Sequence, residues 1–156
     1  MSKASPGERR RDARERRIAI VASRFNDSIV AKLLEAAVET WREHGGDDSR
    51  LAIARVPGAF ELPIAARRFA LSKRYDGVVA LGCVIRGETA HFDYVAGECA
   101  RGLQLAALET GVPIAFGVLT VDTVEQALER AGPTSGNKGA EAMLTALDMA
   151  ELFTQI

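Results

Sequence analysis

Val78-Val79-Ala80-Leu81-Gly82-Cys83-Val84-Ile85-Arg86-Gly87-Glu88-Thr89-Ala90-His91-Phe92-Asp93-Tyr94 runs from an apolar stretch through a short polar loop into a helical pattern. Val78 to Leu81 reads as a strand from its length and β-branched content. Gly87, Glu88 and Thr89 bring backbone N–H groups to the positive end of the helix that follows. An anion such as phosphate is stabilised there by unpaired N–H groups and the helix dipole. His91 stands in the first turn, so a side chain that titrates near neutral pH lies beside the expected anion. Without the loop, His91 would read as a helix-start residue packed on Phe92; the Gly-Glu-Thr segment favours a catalytic site.

Upstream of this stretch the same alternation appears twice. Ile18 to Ala22 is an apolar run of strand length, followed by Asn26-Asp27-Ser28 as a capping cluster and by Ile29, Leu33, Ala37 and Trp41 at helical spacing, up to Gly45-Gly46. Leu51 to Val56 is a second strand, closed by Pro57-Gly58. A helix begins at about Phe60, with Pro63 tolerable in its first turn.

Downstream, a helix with the stripe Phe92, Val95, Cys99, Leu103 and Ala106 ends at Gly111, before Pro113. Ile114 to Thr120 is the fourth strand. Asp122 with Glu125 reads as a capping box for a short helix ending near Ala131. After a loop from Gly132 to Gly139, a last helix carries Met143, Ala146, Leu147, Ala150 and Phe153 on one face.

Four short apolar strands separated by helices predict an α/β fold, a three-layer α/β/α sandwich around a four-stranded parallel, flavodoxin-like sheet. Ligands of such sheets bind beyond the carboxyl ends of the strands. Four loops meet on that rim: Ser23 to Asn26, Pro57 to Glu61, Cys83 to His91, and Thr120 to Asp122. Phe25 either staples its helix to the core or offers an exposed face on which a planar heterocycle stacks. Pro57-Gly58 is a strand terminator, or else Gly58 and Ala59 let the backbone approach a ligand while Glu61 accepts hydrogen bonds from hydroxyls. Arg130 and Lys138 are solvated charges or meet a phosphate, which Arg does bidentately.

With 156 residues, 47% of them hydrophobic, the chain has material for one core: a single domain over residues 18–156. The formal charge of −1 conceals a basic segment. Residues 1–17 carry seven basic side chains against three acidic ones and no aromatics, the composition of a disordered, solvated arm rather than a nucleic-acid surface. Neither a secretory signal nor a membrane span is legible, so a cytoplasmic location is expected. Cys83 and Cys99 form no CxxC pair and the two histidines, His44 and His91, lie in unrelated contexts; neither a metal nor a cofactor is expected.

Five segments in unbroken order resemble the 6,7-dimethyl-8-ribityllumazine synthase family. They are Ser-Arg-Phe-Asn (23–26), Val-Pro-Gly-Ala-Phe-Glu-Leu-Pro (56–63), Ala-Leu-Gly-Cys-Val-Ile-Arg-Gly-Glu-Thr-Ala-His-Phe-Asp (80–93), Phe-Gly-Val-Leu-Thr (116–120) and Glu-Arg-Ala-Gly to Gly-Asn-Lys-Gly (129–139). The resemblance runs from about Ile18 to the C-terminus. It implies the penultimate step of riboflavin biosynthesis, in which 5-amino-6-(D-ribitylamino)uracil condenses with 3,4-dihydroxy-2-butanone 4-phosphate.

By resemblance, Phe25 stacks on the pyrimidine, Ala59, Phe60 and Glu61 hold the ribityl chain, and the backbone at Cys83, Val84 and Ile85 meets the uracil. Glu88 and Thr89 are similar in position to the family's phosphate-binding pair, Arg130 to its phosphate-binding arginine and His91 to its proton-transfer histidine. Phe116 resembles an aromatic donated by a neighbouring subunit. Lys138 and Glu141 match a more loosely assigned charged pair. Small-molecule substrates and a homopentamer are thereby implied, with no nucleic acid and no membrane; some members join twelve pentamers into a 60-subunit icosahedral shell. The short linker Gly132 to Gly136 is similar to that of shell-forming members, whereas the basic arm departs from their partly apolar segment. Two other readings are a flavodoxin-like binding module, which needs a glycine- and hydroxyl-rich loop after the first strand that is lacking here, and a non-catalytic flavin- or lumazine-binding or shell-forming homologue.

Overall fold

Runs of small and β-branched residues form four strands: β1 (Ile18–Ser23), β2 (Leu51–Val56), β3 (Gly77–Ile85) and β4 (Ile114–Val121). The computed structural model describes residues 11–133 and 136–156. The strands are all parallel in the order β2-β1-β3-β4. β1 is buried along its whole length and β3 along its first seven residues, the near-continuous apolar pattern of strands covered on both faces.

Helices α1 (Asp27–Glu43) and α5 (Lys138–Gln155) cover one face, with α4 (Val124–Arg130) at its margin. Helices α2 (Leu62–Leu71) and α3 (His91–Thr110) cover the other. The alternation of side chains along β1 divides the core accordingly. Ile18, Ile20 and Ala22 pack toward Leu33, Trp41 and Met143, while Ala19 and Val21 pack toward Leu62, Ala66 and Leu103. The expected three-layer sandwich is therefore the fold.

Small residues let the layers close. A Cβ added at Gly139 would lie 2.0 Å from the carbonyl oxygen of Leu33, so the start of α5 rests directly on the backbone of α1. One added at Gly102 would lie 2.8 Å from the Pro63 ring, and α3 crosses α2 at that point.

One feature of the register creates the floor of the site. β1 pairs with β3 only as far as Ala22 opposite Leu81, yet β3 continues through Gly82, Cys83, Val84 and Ile85 beside β4 alone. The strand is longer than its sequence pattern implied, because Gly82 does not interrupt it: a Cβ there would crowd Ser23 Oγ at 3.0 Å and Leu62 at 3.1 Å. Asn26 serves the flank that β1 leaves open, its side-chain amide donating to the Cys83 carbonyl at 2.9 Å. Asn26 is thus not the side-chain cap that the sequence pattern predicts. It adopts a left-handed conformation (φ 61°) ahead of α1 and makes no capping bond through its side chain.

Other local expectations shift by a residue or a turn. Helix α2 is preceded by a 3₁₀ turn, Ala59–Glu61, and Pro63 does sit in its first turn. Thr123, rather than Asp122, caps α4: its hydroxyl accepts from Gln126 N–H at 3.1 Å, while the Gln126 side chain accepts from Asp122 N–H at 2.7 Å. Phe153 lies partly exposed at the end of the α5 stripe.

The basic segment needs a larger correction. Residues 11–17 are not a solvated arm. Ala13 is fully buried against the α1/α5 core and donates its N–H to the His44 carbonyl at 2.9 Å. Arg11 pairs with Asp148 at 3.2 Å and Arg16 with Glu151 at 2.6 Å, both on α5. Arg50 donates to the carbonyls of Arg14 and Arg16. The cause is charge complementarity with residues more than 130 positions away, which local composition does not reveal. Residues 1–10, and the linker positions 134 and 135, lie outside the described residues.

Candidate active site

The carboxyl ends of β1, β2 and β3 and the first turns of α3 enclose a cavity of about 710 Å³ on the α2/α3 side of the sheet. It is of the size that small-molecule sites occupy. Among its lining residues are Phe25, Ala59, Phe60, Glu61, Cys83, Val84, Ile85, Thr89 and His91. Nine of the residues singled out from the sequence therefore share one cavity.

Phe25 is 71% exposed, which removes the staple reading, since a staple would be covered by its helix. Its backbone is nonetheless fixed. Arg24 N–H donates to the Val56 carbonyl at 2.8 Å and Phe25 N–H to the Pro57 carbonyl at 3.0 Å, while the Asn26 side chain holds the Cys83 carbonyl. Arg55 adds an ion pair to Asp27 at 2.5 Å and bonds to the Ala22 and Ser23 carbonyls. An exposed ring thus stands on a rigid loop.

Opposite it, the 3₁₀ turn presents Phe60, also exposed, and Glu61. The Glu61 carboxylate lies over Gly58, where a Cβ would come within 3.3 Å of Oε1. Glu61 makes no side-chain hydrogen bond or ion pair among the described residues, leaving its oxygens free to accept from hydroxyls. Cys83 has its side chain in the α1/α5 layer and its carbonyl on Asn26, so only backbone is offered there. Burial pushes its thiol up to about 11, which keeps it protonated and non-nucleophilic at neutral pH.

Beyond β3, residues Arg86 to Ala90 form the loop. The N–H groups of Glu88, Thr89 and Ala90 have no hydrogen-bond acceptor among the described residues, and α3 begins without a side-chain cap. Unpaired amides at the positive end of a helix dipole are the chemistry that stabilises an anion. Thr89 Oγ1 accepts from His91 N–H at 3.3 Å. The His91 imidazole is exposed and free of partners among the described residues, so either nitrogen is open to a ligand in the cavity.

Arg86 is the residue that the sequence reading missed. Its guanidinium pairs with Asp122 at 2.9 Å and Asp93 at 3.4 Å and lies 4.4 Å from the centre of the Phe92 ring. The hydrogen bond to Asp122 and the two nearby carboxylates hold it protonated above its ordinary value. Asp93 seven residues on was a legible partner in the sequence; Asp122 required the pairing of β3 with β4.

Three expected site residues stand apart. Glu88 belongs to the loop but does not line the cavity. Phe116, on β4, is 39% exposed and does not line the cavity. Arg130, the last residue of α4, donates to the Gln126 carbonyl at 3.0 Å and lies 3.8 Å from Glu129.

Residues 15–154 match the family described as 6,7-dimethyl-8-ribityllumazine synthase. The chain belongs to the 6,7-dimethyl-8-ribityllumazine synthase family. It is similar to proteins named 6,7-dimethyl-8-ribityllumazine synthase from Chlorobium phaeovibrioides and Chlorobium chlorochromatii, each 55% identical over 141 and 140 residues. These alignments cover 90% of this chain and 91% and 90% of the relatives. A third, from Chlorobium luteolum, is 54% identical over 141 residues. The family match spans the sheet, the cavity and the loop from Arg86 to Ala90.

Proposed function

We propose that the chain is a 6,7-dimethyl-8-ribityllumazine synthase, the enzyme of riboflavin biosynthesis that condenses 5-amino-6-(D-ribitylamino)uracil with 3,4-dihydroxy-2-butanone 4-phosphate. The observation that carries this reading at the level of the site is a juxtaposition. One cavity holds an exposed aromatic face, part of the open amide loop, and a carboxylate and an imidazole that have no partner among the described residues.

Each feature suits one part of the reaction. The pyrimidine stacks on Phe25, with the backbone at Cys83, Val84 and Ile85 meeting its polar edge. The ribityl chain runs along Ala59 and Phe60, and its hydroxyls donate to Glu61. The phosphate sits on the amides of Glu88 and Thr89. The amine of the pyrimidine attacks the ketone, water leaves as the imine forms, phosphate is eliminated, and the second amine closes the ring with loss of a second water. Every step is proton movement plus charge stabilisation, and His91 is positioned to carry the protons. Holding two substrates together contributes on the order of 7 to 11 kcal/mol at its upper range, and general acid–base catalysis about 10² to 10⁴-fold.

Phe116 and Arg130 do not line the cavity of their own chain, and in this proposal they reach that of a neighbouring copy in a homopentamer. Exposed apolar residues on the α2/α3 side, including Ile64, Tyr94 and Leu108, support burial against a second copy. A pentamer would have a mass of about 80 kDa against 16.7 kDa for the chain, and light scattering separates it from a shell of about a megadalton. Two buried, unpaired cysteines suit a reducing cytoplasm.

Mixing the purified protein with both substrates and following the absorbance of the lumazine product tests the activity. Steady formation that needs both substrates is expected. Binding of the pyrimidine with no turnover would instead favour the non-catalytic homologue, which has no use for the imidazole and amide loop present here.

A further inference from the structure

From Arg86 through Glu98 no side chain is buried; the first buried residue of α3 is Cys99. The segment that carries the amide loop and His91 therefore meets the core only through half-buried side chains such as Val95, which lies beyond the first turn of α3. What holds it is a set of contacts converging on one guanidinium. Arg86 N–H continues the sheet by donating to the Val121 carbonyl at 2.8 Å. Its side chain reaches Asp122 at the end of β4 (2.9 Å) and Asp93 in the first turn of α3 (3.4 Å), and covers the half-buried Phe92 ring next to His91.

We propose that Arg86 is a positioning residue for the phosphate half of the site: it fixes the loop Gly87–Ala90 and the first turn of α3, and with them the amides and the His91 ring, against the end of β4. This rests on the reading of that loop as the phosphate site. Arg86 is not itself the phosphate ligand. Two carboxylates already engage it, so the cluster carries a net negative charge and repels an anion. The geometry of the guanidinium matters as well as its charge, because one plane faces a ring while its edge meets two carboxylates, an arrangement an ammonium cannot reproduce. Displacement of reacting groups by about 1 Å costs up to about 10²-fold in rate.

The test is steady-state kinetics of Arg86→Ala, Arg86→Lys, Asp122→Asn and the Arg86→Ala/Asp122→Asn pair, with inorganic phosphate as an inhibitor and thermal melting as the control for folding. In Arg86→Ala, the KM for the phosphorylated substrate and the inhibition constant of phosphate should both rise about tenfold and kcat should fall, with the pyrimidine KM within about twofold of wild type. Arg86→Lys should recover part of the loss. Asp122→Asn should move the same parameters less, and the pair should be no worse than Arg86→Ala alone, since both act through one contact.

Wild-type phosphate parameters in Arg86→Ala, or a pyrimidine KM that rises equally, overturn the proposal. If Arg86→Ala does not fold, Asp122→Asn decides: unchanged phosphate parameters there overturn it. Thr89→Pro, which removes one of the loop N–H groups that an alanine would keep, separates this proposal from the reading beneath it. If that variant binds phosphate like wild type, the loop is not the phosphate site; if it loses phosphate while Arg86→Ala does not, only the positioning role fails.

Discussion

Replacing Phe25 with alanine separates a binding role from a folding role more cleanly than any other change at the site. The ring is 71% exposed, so its removal forfeits little burial, and a surface truncation of this kind costs within about 0.5 kcal/mol. The loop stays in place, because the bonds from Arg24 to Val56, Phe25 to Pro57 and Asn26 to Cys83 involve no part of the ring. Stacking of a base on an aromatic side chain is worth about 1–3 kcal/mol. At 1.4 kcal/mol per decade, the KM for the pyrimidine should rise about 5- to 140-fold. The midpoint of thermal unfolding should move by less than about 2 °C, given roughly 2–4 °C per kcal/mol at this chain length. Initial rates, with the pyrimidine varied at saturating phosphorylated substrate, measure the first quantity and circular dichroism the second. A pyrimidine KM within twofold of wild type would refute the stacking role. A melt several degrees lower would mean the ring holds α1 to the core after all.

His91→Ala should fold normally and turn over about 10² to 10⁴-fold more slowly without losing activity altogether, as stopped assays at high enzyme concentration would detect. Arg130→Ala should chiefly raise the KM for the phosphorylated substrate. If Arg130 serves a neighbouring copy, refolding a mixture of the His91→Ala and Arg130→Ala chains should yield more activity than either alone; no gain on mixing counts against a shared site. Gly139→Ala forces a Cβ into the Leu33 carbonyl and should destabilise the fold by about 1–3 kcal/mol, lowering the calorimetric midpoint by several degrees. Burial pushes Cys83 up to about 11 and Cys99 up to about 12 from an ordinary 9.0. The folded state thus holds these protons more tightly than the unfolded chain. Their effect on stability is absent below about pH 9 and grows unfavourable as pH rises toward 11 and 12, so Cys99→Ala should flatten the fall in melting temperature over that window.

The sequence carried the sheet and most of the cavity, for a local reason. Strand-length apolar runs at Ile18, Leu51, Val78 and Ile114, each followed by a helical period, leave few topologies open, and a parallel sheet puts all four following loops on one rim. Six of the cavity residues, Phe25, Ala59, Phe60, Glu61, Thr89 and His91, come from three such loops and the turns beside them and were legible as breaks after strands, whereas Cys83, Val84 and Ile85 belong to β3 itself. Side-chain periodicity says nothing, however, about where a strand outruns its neighbour. The four-residue extension of β3 past its last pair with β1, which gives the cavity its floor and turns Asn26 from a cap into a clasp, is a property of register between segments far apart in the chain.

Charge pairing divides in the same way. A run of arginines at the start of the chain is indistinguishable by composition from a solvated arm, and only the packed helix α5 supplies Asp148 and Glu151 as partners for Arg11 and Arg16. Arg86 is likewise one charge among many until β3 and β4 lie side by side and bring Asp122 to it. The amino-acid sequence determined which residues meet at the rim, because strand and helix periods are local. The tertiary structure decided how they are held, because pair contacts depend on distances that no local pattern encodes.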